Sequence, residues 1–151
     1  MRFYCFVNNV YMSAIQHGIQ TAHAVSEMSF KTARNPEAHA KYLMWAAWHK
    51  TIIVLQGGNV ENLLRLENEI TILAKELELP AVSFREDEAS LGGIITAVAV
   101  ILPEALYDTE VVKDEDGYTA FKPPVVGAQW ISDSWSPEHK LLSLIKLARL
   151  A

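Results

Sequence analysis

Three side chains that can hold an oxygen or handle a proton recur near the start of the chain: Gln16, Gln20 and His23. At about 100° per residue they fall within roughly 60° of one another on a helix. A glutamine amide can hold a carbonyl or an oxyanion, and a histidine can position or pass a proton. The stripe is therefore the polar lip of a cleft or a solvated face, and His23 by itself also reads as a satisfied core histidine. The second candidate is the run Glu86-Asp87-Glu88. It is a solvated turn, or a set of crowded carboxylates in which one is pushed toward general-base work. Metal chemistry finds little support. His17 lies off any i, i+4 pairing with His23, and His39, His49 and His139 show no ligand spacing. No glycine-rich phosphate loop and no serine at nucleophile-elbow spacing occurs.

Positioning these groups takes a sheet and helices. Arg2–Val7 reads as a strand apolar on both faces, ended by Asn8-Asn9. Ser13 caps a helix running to Arg34, about 22 residues and ~33 Å long. Its apolar stripe is Ile15, Ile19, Ala22, Val25 and Met28. Pro36 opens a second helix to His49, with Trp45 and Trp48 on one side. Thr51–Leu55 is a short buried strand, Gly57-Gly58 a turn, and Asn59 caps a third helix reaching Glu78. Leu63, Leu66, Ile70, Leu73 and Leu77 form its stripe. Ala81–Phe84 and Ile94–Leu102 supply two further strands. Residues 104–135 read as an insertion with a hairpin around the acidic run Lys113–Gly117, and Ser136-Pro137 opens a C-terminal helix over 136–151. The alternation predicts one α/β domain over residues 1–151: three layers, α/β/α, around a four-stranded mixed sheet. In such sheets ligands bind beyond the carboxyl ends of the strands. That places the loops around Asn9, Tyr11 and Ser13, around Gln56–Asn59, and around Glu86–Glu88 at the expected site.

Composition sets the outer bounds. The chain has 151 residues, half of them hydrophobic and 21% charged, which excludes a disordered chain. A net charge of −5 disfavours blanket nucleic-acid binding. The single cysteine, Cys5, sits in an apolar strand and reads as an inert core thiol; the four tryptophans read as core or hairpin packing. The sequence has no apolar run of membrane-spanning length and no signal peptide, so a cytoplasmic protein is expected. Leu141, Leu142, Leu144, Ile145, Leu147 and Leu150 cover more of the last helix than one core face needs, which predicts a homodimer.

Asn9-Val10-Tyr11-Met12 followed by Gln20-Thr21-Ala22-His23-Ala24 resembles the opening of the type II (archaeal and eukaryotic) peptidyl-tRNA hydrolases. Those read Asp-Leu-Gly-Met, then Gln-x-x-His-Ala, at the same spacing. The resemblance continues through His49–Leu55, Ala74–Pro80, Ala81–Asp87 and Thr96–Pro103, covering about residues 1–104 and, more loosely, the last helix. It implies a single α/β domain that hydrolyses the ester between a peptide and the 3′ end of tRNA, with no metal and no cofactor. Position by position, it implies catalytic roles for Gln20, His23 and Glu86, or Asp87 with a one-residue slip. Thr96 stands, with a slip, at a family threonine. Asn9, Ser13, Gln16 and Thr96 are the expected substrate contacts. Gln20 and the first-helix N-terminus would hold the carbonyl or oxyanion, Glu86 or Asp87 would orient or deprotonate water, and His23 would position its neighbours or touch the 3′ end. Two family lysines fall on Ala14 and Gln16, and a family aspartate on Asn9. These departures, with the charge of −5, keep a second reading open: a non-catalytic member of the fold that binds a small ligand or a protein.

Overall fold

The computed structural model describes residues 1–108, 111–113, 119–121 and 136–151. Strand β1 (Arg2–Asn8) is buried on both faces because its residues alternate between two cores. Phe3, Cys5 and Val7 point to one core, Tyr4 and Phe6 to the other. β2 (Thr51–Gly58) pairs parallel with β1. β4 (Ile95–Leu102) pairs antiparallel with β1 on its other side, and β3 (Ala81–Arg85) antiparallel with β4. The order β2-β1-β4-β3 is the expected mixed four-stranded sheet.

Helices cover both faces. α1 (Ala14–Thr32) and α2 (Pro36–Met44) lie over the core of Phe3, Cys5, Val7, Ala97, Ala99 and Ile101. α3 (Val60–Glu76) and α6 (Pro137–Lys146) lie over Tyr4, Phe6, Val98, Val100 and Leu102. Short turns α4 (Glu88–Leu91) and α5 (Glu104–Tyr107) flank β4. β5 (Val111–Lys113) and β6 (Thr119–Phe121) pair antiparallel, as the hairpin reading expects. Its acidic tip lies outside the described residues, as do Trp130 and Trp135.

Several expectations need correction. α1 buries only the far end of the predicted stripe: Met28 is buried and Val25 packs against the same core, whereas Ile15 and Ile19 are 78% and 50% exposed and Ala22 is exposed too. The buried positions are Gln20, Thr21, Ala24, Met28 and Thr32. The polar ones bring their own partners. The Thr21 hydroxyl donates to the His17 carbonyl (2.8 Å) and that of Thr32 to the Met28 carbonyl (2.6 Å), so neither is buried unsatisfied. Ala97 and Ala99 lie in the same core and give α1 room to sit close. The second helix is α-helical only to Met44 and ends in a π-helical turn, Trp45–His49. Trp45 is buried and donates its indole N–H to the Thr51 carbonyl (2.9 Å), whereas Trp48 is 82% exposed and packs in no core. On α6, Leu141, Leu142 and Ile145 are buried within the chain. The surplus apolar surface of that helix reduces to Leu147 and, beyond it, Leu150.

Two details shape the upper edge of the sheet. A Cβ on Gly57 would stand 2.8 Å from the Val7 carbonyl oxygen, so only glycine lets β2 lie against the end of β1. Arg149–Ala151 pairs with the outer edge of β2: Gln56 N–H donates to the Arg149 carbonyl and Ala151 N–H to that of Val54. This covers backbone groups an edge strand would otherwise leave open. Among the described residues no helix is long and apolar enough to cross a membrane.

Candidate active site

Asn8 closes β1 and aims the loop after it. Its buried side chain donates to the Ile95 carbonyl (3.0 Å) and accepts from Val10 N–H (3.0 Å), tying the strand exit to the start of β4 and turning the chain. Tyr11 then reaches across to Glu86: its phenol donates to Glu86 Oε1 at 3.3 Å. Burial raises the Tyr11 phenol above its ordinary value, with the Glu86 charge and hydrogen bond acting in the same direction. Tyr11 therefore stays a donor at neutral pH. Glu86 is pinned from its own side by its N–H, which donates to the Ile94 carbonyl (3.1 Å) just past the irregularity that ends β3.

Gln20 is the centre of the arrangement. It is 3% exposed, and its Nε2 donates to Glu86 Oε1 at 3.0 Å. Thr96, wholly buried on β4, donates its hydroxyl to Gln20 Oε1 at 2.7 Å. A carboxylate can only accept, so the amide must present nitrogen to Glu86 and oxygen to Thr96. The result is one continuous chain of hydrogen bonds, Thr96 to Gln20 to Glu86, with Tyr11 closing on the same carboxylate oxygen. Its second amide hydrogen aside, Gln20 is committed at both ends. It positions Glu86 more than it offers itself to a substrate.

The other expected residues are placed differently. Gln16 turns back on its own helix end: Ser13 caps α1 by accepting from Gln16 N–H (3.2 Å), and Gln16 Oε1 accepts from the N–H groups of Met12 and Ser13. Ser13 and Gln16 thus form a capping box and stand apart from Glu86. His23 is exposed and stacks on Phe84 of β3, ring centroids 4.4 Å apart and planes 6° from parallel; its ring makes no hydrogen bond among the described residues. It flanks the cluster without joining it. Asp87 is exposed, and its backbone carbonyl accepts from Leu91 and Gly93 N–H. The hydrogen bonds of Gln20 and Tyr11 run to Glu86. Asn9 sits at the rim, its N–H donating to the Gly58 carbonyl (2.8 Å).

No protein-family model and no curated protein matches the chain.

The chemistry therefore rests on the geometry. The group able to orient or deprotonate a water is the Glu86 carboxylate, held by two donors from different elements. Among the described residues no lysine or arginine pairs with Glu86. No lysine or arginine occurs between Phe3 and Phe30 or between Glu86 and Val112. Arg85, next to Glu86, is turned to the α3 side, where it pairs with Glu67 at 2.7 Å. Among the described residues no cluster of histidine, cysteine, aspartate and glutamate could hold a metal. Sequence reasoning missed Tyr11 as the partner of Glu86. The only signal was its place in the loop between β1 and α1.

Proposed function

We propose that the chain hydrolyses the ester joining a peptide or N-blocked aminoacyl group to the 3′ end of a tRNA, in the cytoplasm. One observation supports this reading above others: the hydrogen-bonded chain Thr96–Gln20–Glu86 unites three positions at which the resemblance to type II peptidyl-tRNA hydrolases expects site residues. In this reading Glu86 orients and deprotonates the attacking water, Gln20 and Thr96 hold Glu86 in place, and Tyr11 keeps its carboxylate pointed. The developing oxyanion is held by the Ala14 and Ile15 amides at the start of α1, since Ser13 already accepts from the N–H groups of Gln16 and His17. His23, stacked on Phe84, stands beside this machinery. The test is release of N-acetyl-aminoacyl groups from tRNA. The full chain should cleave the ester, and Glu86→Gln should slow it by about 10²-fold or more, the scale of a lost general base. No cleavage at low salt, or cleavage that Glu86→Gln leaves unchanged, overturns the reading.

That no lysine or arginine pairs with Glu86 among the described residues favours a second reading, a non-catalytic member of the fold that binds an uncharged ligand or a protein. A polyanion is bound largely through lysine and arginine contacts, and among the described residues none joins the cluster. Self-association through the last helix would rest on exposed Leu147 and Leu150.

A further inference from the structure

A cleft of about 320 Å³ opens where three helix ends meet: the last turn of α1, the first turn of α2 and the last turn of α3. That volume lies within the range of small-molecule sites. The floor is apolar, made of Ala38, Ala74, Leu79 and Ala81, the first three of them buried. The walls are polar: Lys31, Thr32 and Asn35 come from the α1–α2 junction, and Thr71, Lys75 and Glu78 from the end of α3. Ala81 starts β3 whereas Glu86 follows its end, so the cleft shares no residue with the Glu86 cluster.

Most free groups of the walls are donors. The Lys75 ammonium has no hydrogen bond or ion pair among the described residues. Lys31 holds two long contacts, Glu27 at 3.6 Å and the Ser83 carbonyl at 3.5 Å, in an exposed setting where an ion pair contributes little. Asn35 commits its oxygen to the Ala38 N–H (3.2 Å) and keeps its NH2, and Thr71 keeps its hydroxyl. Thr32 is closed: its hydroxyl donates to the Met28 carbonyl and accepts from His39 Nδ1 at 3.1 Å. Each lysine stands in the last turn of its helix, where a cation complements the helix dipole, and the fold brings both to one cleft. The free acceptor is Glu78. It sits at φ 54°, a left-handed position just past α3 that favours glycine, yet the residue there carries a carboxylate. Lys41 Nζ holds its carbonyl at 2.5 Å, and the carboxylate itself has no partner among the described residues. Lysines bind phosphate as point charges, and two from different helices match a dianion. A phosphomonoester is such a dianion near neutral pH, its second pKa being about 6. A carboxylate can only accept, which suits hydroxyl donors. The apolar floor suits the C–H face of a polyol.

We propose that this cleft binds a small phosphorylated polyol of sugar size, its phosphate on Lys31 and Lys75 and its hydroxyls on Glu78 and Asn35. The inference stands whether or not the chain cleaves an ester. Calorimetric titration of the full chain with glucose 6-phosphate, ribose 5-phosphate and glycerol 3-phosphate tests it, with glucose and inorganic phosphate alongside. At least one phosphorylated polyol should bind about tenfold more tightly than inorganic phosphate or glucose, the effect of one added hydrogen-bonded contact. Lys75→Met should weaken that binding about tenfold or more, as the loss of a charge-assisted contact does. Glu78→Gly should bring the affinity down to that of inorganic phosphate without lowering the thermal midpoint, because glycine takes a positive φ without strain. Both residues are exposed, so neither variant removes core packing. No binding of any phosphorylated polyol at millimolar concentration overturns the proposal. So does an affinity no better than that of inorganic phosphate, binding that Lys75→Met leaves untouched, or a preference that survives Glu78→Gly.

Discussion

α1 and α3 cover opposite faces of one sheet, yet hydrophobic periodicity points to the buried face of α3 and away from that of α1. On α3 the stripe Leu63, Leu66, Ile70, Leu73 is the stripe that packs. On α1 the apolar residues Ile15 and Ile19 face outward, while Gln20, Thr21 and Thr32 face in. Burying a polar group costs about 1–3 kcal/mol when it is left unpaired and little when it is paired. α3 packs for stability alone. α1 gives up apolar burial because its inward glutamine meets Thr96 and Glu86, and its inward threonines meet their own helix carbonyls. A helix whose inward polar residues all find partners can roll its apolar residues outward at little cost.

That contrast can be tested by substitution, beginning where the effect is largest. Ile70→Ala on α3 removes a side chain 1% exposed and should cost ~2–5 kcal/mol in chemical denaturation, the range for large-to-small changes in a core. A cost under ~1 kcal/mol would mean that α3 is not packed as described. Gln20→Ala should cost ~1–3 kcal/mol, because the Thr96 hydroxyl and Glu86 lose their partner inside the protein. Ester hydrolysis, where measured, should fall with it, and Gln20→Glu should not rescue it, since a second carboxylate would face Glu86. If stability is unchanged, the polar face of α1 is not buried.

Beneath α1, burial pushes the Cys5 thiol from 9.0 up to about 12, with the Thr21 hydrogen bond acting weakly the other way. The unfolded chain loses this proton first, so folded stability falls as pH rises from 9.0 toward 12, by about 1.4 kcal/mol per pH unit. Tyr4 and Tyr11, also raised, add to the fall above their ordinary value of 10.0. Denaturation between pH 8 and 11 should show a shallower slope in Cys5→Ala; an equal slope would place Cys5 outside the core. The smallest effect belongs to the outward face of α1. Ile19→Ser should change stability by no more than ~0.5 kcal/mol, as at ordinary surface positions. A cost of several kcal/mol would restore the face that periodicity alone suggests.

Much of the scaffold was legible because its signals are local. β1 and β4 are continuous apolar runs, and a strand buried on both faces has no other way to be written. Ser13, Asn35, Asn59 and Ser136 each cap a helix with their own side chain, so the helix starts can be read from single residues. Of the candidate site, Gln20, Glu86 and Thr96 were nameable in advance, while that Gln20 and Tyr11 both reach Glu86 shows only in the fold. Gln16 illustrates the opposite case. Its spacing from Gln20 is as good as that of His23, but the nearer demand of the helix end takes its amide.

By itself the sequence determined the main strands and helices, their order and the helix caps, because each depends on neighbours a few residues away. The tertiary structure alone decided which way α1 is rolled and that Tyr11 reaches Glu86. It also decided that a cleft forms where the ends of α1, α2 and α3 meet. These depend on contacts 75 residues apart in the case of Tyr11 and Glu86 and 76 in that of Gln20 and Thr96. A helix is rolled by the sum of what it meets, and a polar residue pays no penalty for facing inward once a distant strand has placed a partner opposite it.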